Sequence, residues 1–377
     1  MIDVPAWRDA RSVLAVRLDD MGDVLMTTPA LRALKDARPD RRLTLLASPA
    51  GARVARELPF VDDTLEFRAP WMKHDPPATD GAASAALVRR LRKGGFDAAV
   101  VFTVCTQSAL PCATVLHQAG IARRAAHCRE NPYALLTDWV RDSDVDLAAG
   151  VRHETARQLD LVRALGVRVR DVRLQFPVGH AARARFRAKA AGAGLDPVRT
   201  FIVLHPGATA ASRRYPPEAF GEAARLLRAR GYEVVLAGGD GDAAAVETIA
   251  QCAPGVASLA GQLELAELAA LLECATAVVC NNSFPAHLAA AVGTPVVDLY
   301  ALTNPQHTPW AVLHRVLNHD VECRNCQKSV CPQGHHRCLA GVAPADVVAA
   351  ALAVARRRPA PQNRTAGAVG ALPALAS

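Results

Sequence analysis

Short apolar runs rich in Val, Leu and Ala recur along the chain, each followed by a small-residue loop and then by a stretch whose apolar positions return every three to four residues. That order predicts strand, loop and helix repeated many times, a βαβ series that builds parallel sheets covered by helices. In the first half, Val13–Leu18 (VLAVRL) reads as a strand, Asp19–Asp23 (DDMGD) as its loop and Val24–Ala37 as a helix stopped by Pro39. Strands at Leu43–Ala47 and Ala98–Thr103 come next, with a helix at Ala82–Lys93 between them. From Phe176 to Pro197 the pattern lapses into a basic, Ala-rich stretch with Pro and Gly at both ends, read as a linker that encloses a short helix.

Beyond the linker the plan restarts. Phe201–Leu204 is a strand, His205–Tyr215 a loop, and Pro216–Pro217–Glu218 opens a helix. A strand at Glu233–Ala237 runs into Gly238–Gly239–Asp240, and then come a helix at Leu265–Cys274, a strand at Ala277–Cys280, a helix at Pro285–Val292 and a strand at Pro295–Tyr300. The expected organisation is an N-terminal Rossmann-like domain over residues 1–176, a linker over 177–197, a C-terminal one over 198–355 and a disordered tail over 356–377. Doubly wound sheets bind ligands beyond the carboxyl ends of their strands, so the cleft between two of them is the expected site.

The 377 residues and 51% hydrophobic content suit two globular domains and exclude disordered and fibrous classes. A net charge of +8 fits anionic ligands, and with 5% aromatics the chain offers little stacking surface, so no nucleic acid partner is expected. Met1–Ser12 carries Asp3, Arg8, Asp9 and Arg11 and lacks the apolar stretch of a signal peptide. No run of about 18 apolar residues could span a membrane. The expected compartment is the cytoplasm, with the basic surface giving peripheral contact with the inner membrane face. Cys105, Cys112, Cys128, Cys252, Cys274 and Cys280 read as buried thiols. Cys323, Cys326, Cys331 and Cys338, spaced C-x2-C-x4-C-x6-C around His335 and His336, are candidate ligands of a structural zinc ion, against the alternative of a loop with reduced thiols.

Four strand-to-helix turns carry the candidate chemistry. In DDMGD, Gly22 permits a close backbone approach and Asp23 falls in the first turn of a helix, where it serves either as a cap or as a general base facing the cleft. The charges of Asp19 and Asp20 are expected to raise its pKa. The loop His205–Tyr215 combines Gly207, the hydroxyls of Thr209 and Ser212, and Arg213 and Arg214 into an anion cradle. Asp240 comes just past a strand end, as ribose-binding acids do, or is plain turn punctuation. Asn281–Asn282–Ser283–Phe284–Pro285 opens a helix whose N-terminus suits an anion, and His287 lies one turn inside it, as a ligand contact or a core histidine.

At these segments the sequence resembles glycosyltransferase family 9, the ADP-heptose:lipopolysaccharide heptosyltransferase family. The matching pieces are VLAVRLDDMGDVLMTTPALRALK, VLHPGATAASRRYPPEAF, the GGDGD turn with SLAGQLELAELAALLECA, and NNSFPAHLAAAVGTPVV. The resemblance implies a GT-B fold, two facing Rossmann-like domains with an interdomain cleft, and an inverting transfer that requires no metal or other cofactor. It implies a nucleotide-sugar donor, ADP-heptose, and a lipopolysaccharide-type or other cell-envelope glycan acceptor. Asp23 matches the family's base, Thr209 and Arg213 match donor-phosphate positions, and Asp240 matches an acid near the nucleoside. Asn282, Ser283 and His287 match the donor-binding turn. Phe284 stands where the family commonly has Gly, which motivates a second reading, a degenerate member that binds a nucleotide sugar or glycan without turnover. Acceptor contacts are expected from first-half loops such as Phe67–Gly81.

Overall fold

The computed structural model describes residues 2–72, 81–142, 152–196 and 199–357. Residues 73–80 of the expected acceptor loop, Pro197 and residues 358–377 of the expected tail lie outside the described residues. The first half runs α1 (Val4–Asp9), β1 (Ser12–Arg17), α2 (Met21–Ala37), β2 (Arg42–Ala47), α3 (Pro49–Ala55), β3 (Asp63–Glu66), α4 (Ala82–Gly94), β4 (Ala98–Val101), α5 (Leu110–Gln118), β5 (Arg123–Cys128), β6 (Asp138–Arg141), α6 (Glu154–Ala164) and α7 (His180–Gly192). The second runs β7 (Phe201–His205), α8 (Pro217–Ala229), β8 (Glu233–Leu236), α9 (Ala243–Cys252), β9 (Ala257–Ser258), α10 (Leu265–Cys274), β10 (Ala277–Asn281), α11 (Phe284–Ala291), β11 (Val296–Leu299), β12 (His314–Leu317), α12 (Arg337–Ala340) and α13 (Pro344–Ala355).

Two six-stranded sheets result, in the orders β3-β2-β1-β4-β5-β6 and β12-β11-β10-β7-β8-β9. Every paired strand runs parallel. Each sheet is doubly wound, with its strand order reversing beside β1 in the first and beside β7 in the second. The central strands are buried on both faces, which is why VLAVR, FIVLH and AVVCN read as continuous apolar runs. The chain is thus an α/β protein with two Rossmann-like sheets.

Helix α2 ties the first half to the segment that leaves it. Pro29 sits inside this helix and cannot donate to the Leu25 carbonyl; the Thr28 hydroxyl takes that acceptor at 2.6 Å. The same hydroxyl oxygen accepts from Gln175 N at 3.0 Å, which anchors the chain on its way out of the first half. Helix α7, within the stretch read as a linker, buries Ala182, Phe186 and Ala190, and its Arg183, Arg185 and Lys189 pair with Glu273 and Glu267 of α10. The largest core cluster runs through both halves, from Val13 and Leu25 to Ala286 and Val296.

Two of the six cysteines read as buried differ from expectation. Cys252 is exposed and Cys274 half-buried, because each is the last residue of its helix; Cys252 leans over Gly221 without being covered. Cys105, Cys112, Cys128 and Cys280 are buried, and burial pushes the Cys112 thiol up to about 12.

Candidate active site

Strand β1 ends on Arg17, whose side chain is 0% exposed and whose guanidinium meets three carboxylates. Its Nε lies 3.0 Å from Asp19 Oδ2, Nη2 lies 2.9 Å from Asp23 Oδ1, and Nη1 lies 3.1 Å from Glu154 Oε1. Glu154 comes from the start of α6, which packs along α2. Asp23 is the third residue of α2, and its Oδ2 accepts from Asp20 N at 3.3 Å, so it caps the helix as well as facing Arg17. Its side chain keeps 18% exposure.

The expectation that Asp19 and Asp20 raise the pKa of Asp23 is corrected by Arg17. Burial pushes the Asp23 carboxyl up, but the guanidinium beside it, by its charge and its hydrogen bond, outweighs burial and holds it below the ordinary value. The mutual repulsion appears at Asp19 instead, which burial and the Asp23 charge push up to about 6 against the pull of Arg17. Gln107 donates to Asp19 Oδ1 at 2.7 Å. On that side opens a cavity of about 310 Å³ lined by Leu18, Asp19, Trp71, Thr103, Thr106 and Gln107. It lies beyond the ends of β1 and β4, the reversal point of the first sheet.

The second sheet presents its reversal point opposite. The loop after β7 is fastened to the turn after β10 by Asn281, whose Nδ2 donates to Pro206 O (2.6 Å) and whose Oδ1 accepts from Tyr215 N (3.0 Å). The Ser283 hydroxyl donates to Gly207 O at 3.0 Å. Gly207 is required here because a Cβ would collide with the Asp242 carboxylate, which accepts from Gly239 N at 2.8 Å. Asp240, the residue expected at this turn, is exposed, as is Thr209. Ser212 does not join the cradle: its hydroxyl donates to Lys328 O (2.7 Å) and its N–H to Ser329 O (3.0 Å). Arg214 is exposed and donates through Nε to Ala208 O at 2.7 Å.

Arg213 points inward. Its Nη2 lies 3.4 Å from Asn304 Oδ1, while its buried Nε has no partner among the described residues. Asn282 Nδ2 and His287 Nδ1 are likewise buried and unpaired there. Burial pushes the His287 imidazole down to about 4, against the attraction of Asp23. The two halves meet where α2 and α11 start: a Cβ on Gly22 would stand 3.0 Å from His287 Cδ2. The close approach expected of Gly22 is therefore made by His287, and Asp23, His287, Arg213 and His307 face one another across the cleft.

The segment 301–312 bridges the halves. Glu154 N donates to Gln306 O (3.0 Å), His153 Nε2 donates to Thr308 O (2.7 Å), and Trp310 Nε1 donates to Val172 O (2.7 Å). The Cys-rich segment backs this bridge, with Asn325 N on Leu302 O (2.7 Å) and Gln327 N on Thr303 O (2.9 Å). Cys338 feels the charges of Cys323, Cys326 and Cys331, and Cys323 Sγ lies 3.6 Å from His335 Nε2. Among the described residues, however, no group of three or more His, Cys, Asp or Glu side chains is assembled to hold a metal ion. The expected zinc ligands Cys323, Cys326, Cys331 and Cys338 thus lie near one another without being assembled into such a group.

Sequence reading missed Arg17, Glu154, Asn304 and His307, and named Asn281 and Asp242 only within their motifs, without the fastening contacts they make. Arg17 was within reach, as a charged residue closing an apolar strand just before an acidic turn. The others are placed by long-range packing.

Comparison with known proteins agrees with this geometry. The model of glycosyltransferase family 9 (heptosyltransferase) matches residues 84–336. The chain is 29% identical over 297 residues to lipopolysaccharide heptosyltransferase 3 of Escherichia coli, covering 77% of this chain and 82% of that protein. It is 26% identical over 351 residues to lipooligosaccharide heptosyltransferase 2 of Haemophilus influenzae, covering 88% and 96%. Among solved structures, a family 9 glycosyl transferase from Veillonella parvula superposes with a TM-score of 0.76 at 21% identity, covering 92% of this chain and 98% of that one. The ADP-heptose lps heptosyltransferase II of E. coli superposes with a TM-score of 0.72 at 23% identity, covering 92% and 99%. The two sheets thus form a GT-B fold, and the chain is a glycosyltransferase belonging to family 9.

Proposed function

We propose that the enzyme moves a heptose from ADP-heptose to a lipopolysaccharide core or other cell-envelope glycan, by an inverting displacement that uses no metal. The names of its relatives, lipopolysaccharide and lipooligosaccharide heptosyltransferases, support the donor and acceptor class. Residues 1–176 are taken as the acceptor side, with the cavity beside Asp19 as the place where an acceptor sugar enters. Residues 198–355 are taken as the donor side.

The observation that carries this reading is the opposition of Asp23, ionised beside Arg17, to Arg213, Asn282 and His287, which hold unpaired buried nitrogens. Asp23 takes the proton of the acceptor hydroxyl as its oxygen attacks the anomeric carbon. The bond from that carbon to the phosphate oxygen breaks, and its electron pair leaves with the nucleoside diphosphate. Arg213, Thr209 and the N-terminus of α11, with Asn282, Ser283 and His287 around it, hold the developing charge, and Asp240 contacts the nucleoside. Attack opposite the leaving group inverts the anomeric centre. Arg17 occupies the space between the carboxylates where a cation would otherwise sit, which supports chemistry without a metal. Among the described residues no helix is long and apolar enough to cross a membrane, and the basic surface suits peripheral contact with anionic lipid.

A thermal-shift panel of nucleotide sugars and then transfer assays in EDTA test this. ADP-heptose at one hundred times its Kd should add about 2.7 kcal/mol of stability, and transfer in EDTA should give product of inverted anomeric configuration. No stabilisation, retained configuration or loss of turnover in EDTA would each overturn the corresponding part. Stabilisation without turnover would favour the binding-only reading.

A further inference from the structure

The bridge between the halves carries a histidine that no motif singles out, and its neighbours fix its protonation. His307 N donates to Tyr300 Oη at 3.1 Å, while that hydroxyl donates to Asn304 O at 2.6 Å, so the turn is closed on itself. A guanidinium has only donors, so the Asn304 amide must turn its oxygen toward Arg213 Nη2 (3.4 Å), where it also accepts from the Thr303 hydroxyl (2.9 Å). The amide nitrogen then faces His307 Nδ1 at 2.8 Å, and an amide NH₂ only donates. Nδ1 is therefore the acceptor, and the ring proton sits on Nε2. That Nε2–H is buried and has no hydrogen-bond partner among the described residues. An unpaired buried donor is costly, and one held in place by its neighbours persists when a ligand completes it.

Its position names the ligand. His307 lies within electrostatic reach of Asp23 and Arg17 in the first half and of Arg213 and His287 in the second. That is the space between the base and the phosphate cations, where the transferred group must lie. Burial pushes the imidazole down to about 3, so it stays neutral and does not compete with Arg17 for the charge of Asp23. Charge matches Arg213 to phosphate; a neutral N–H matches a hydroxyl.

We propose that His307 is a specificity-determining residue of the donor site, its Nε2–H donating to a hydroxyl oxygen of the transferred sugar; this rests on the sugar-transfer reading above. The full chain, His307→Leu and His307→Gln would be compared by calorimetric titration with ADP and with ADP-heptose and by steady-state kinetics. His307→Leu should lower kcat/KM for ADP-heptose roughly 10- to 100-fold and weaken its binding in parallel, while the Kd of ADP stays within about twofold. His307→Gln, whose side-chain amide can still donate, should recover most of the loss. An indifferent His307→Leu, equal weakening of ADP and ADP-heptose, or failure of Gln to recover any activity overturns the assignment. A wild-type chain that binds no ADP-heptose overturns the parent reading as well, whereas tight wild-type binding with an indifferent His307→Leu overturns this inference alone.

Discussion

The two turns that face each other across the cleft are finished to different degrees. After β1, Arg17 is surrounded by the carboxylates of Asp19, Asp23 and Glu154, and Asp23 also takes a backbone N–H. After β7, β10 and β11, Arg213 Nε, Asn282 Nδ2, His287 Nδ1 and His307 Nε2 are buried without partners among the described residues. The first site is charge-paired, although Glu154 Oε2 is also buried there without a hydrogen-bond partner among the described residues, and a charge-paired site holds one charge in one place. An unsaturated one is completed by the polar atoms of a ligand. Catalytic groups supplied by the protein should accordingly lie on the first side, and binding groups on the second.

The sharpest way to break that division is Asp23→Asn, which preserves shape and removes the base. It should lower kcat by roughly 10²–10⁴ while leaving ADP binding intact; unchanged turnover would show that the charge-paired turn is structural only. The next largest effect is on stability. Arg17→Met strands Asp19, Asp23 and Glu154 in a buried site without their counter-charge and should cost about 3–5 kcal/mol in denaturant unfolding. A loss under about 1 kcal/mol would mean that the network contributes little to the fold.

The smallest test concerns the imidazoles. Burial, the leading cause in each case, holds His127, His153 and His287 down to about 4, His307 down to about 3, and His205 below the ordinary 6.5. For these groups the unfolded chain binds more protons between about pH 4 and 6.5, so their stabilisation is full above that window and is lost as pH falls through it. Asp19, Glu154 and Asp298 act oppositely, since burial raises each of them in the folded chain, but they are outnumbered. Urea midpoints should decline from pH 7 to pH 5, with a slope of about 1.4 kcal/mol per pH unit for each net proton. A flat or rising profile would show the imidazoles to be solvated rather than held neutral.

Much of this was readable from the residues. The runs VLAVRL and FIVL, the Pro-started helices and the DDMGD turn mark local preferences that packing kept: the helix expected at Leu265–Cys274 has those bounds, and Gly22 and Asp23 stand at the start of α2. Strands β5, β6 and β12 were not legible, because RRAAHC, DWVR and HRVL carry polar side chains, and β6 and β12 are four-residue edge strands. Arg124 illustrates the cause: its guanidinium folds back onto the carbonyls of Ala134 and Leu135 and is buried by contacts that no period announces. The pairing of Arg17 with Glu154 spans 137 residues, and the orientation of Asn304 depends on Arg213, 91 positions away. The charge balance at Asp23 was misjudged for a related reason: the acidic neighbours are adjacent in sequence, but the strongest partner is on the preceding strand.

The contact between Gly22 and His287 has a mechanical meaning. With 3.0 Å between a would-be methyl carbon and the imidazole, the absent side chain acts as a feeler gauge between two jaws, since a methyl group there would push the imidazole back by a few tenths of an ångström. The spacing between the start of α2 and the start of α11 is therefore sensitive to a missing carbon. Residue 22 is the screw with which that spacing could be retuned, one methyl group at a time.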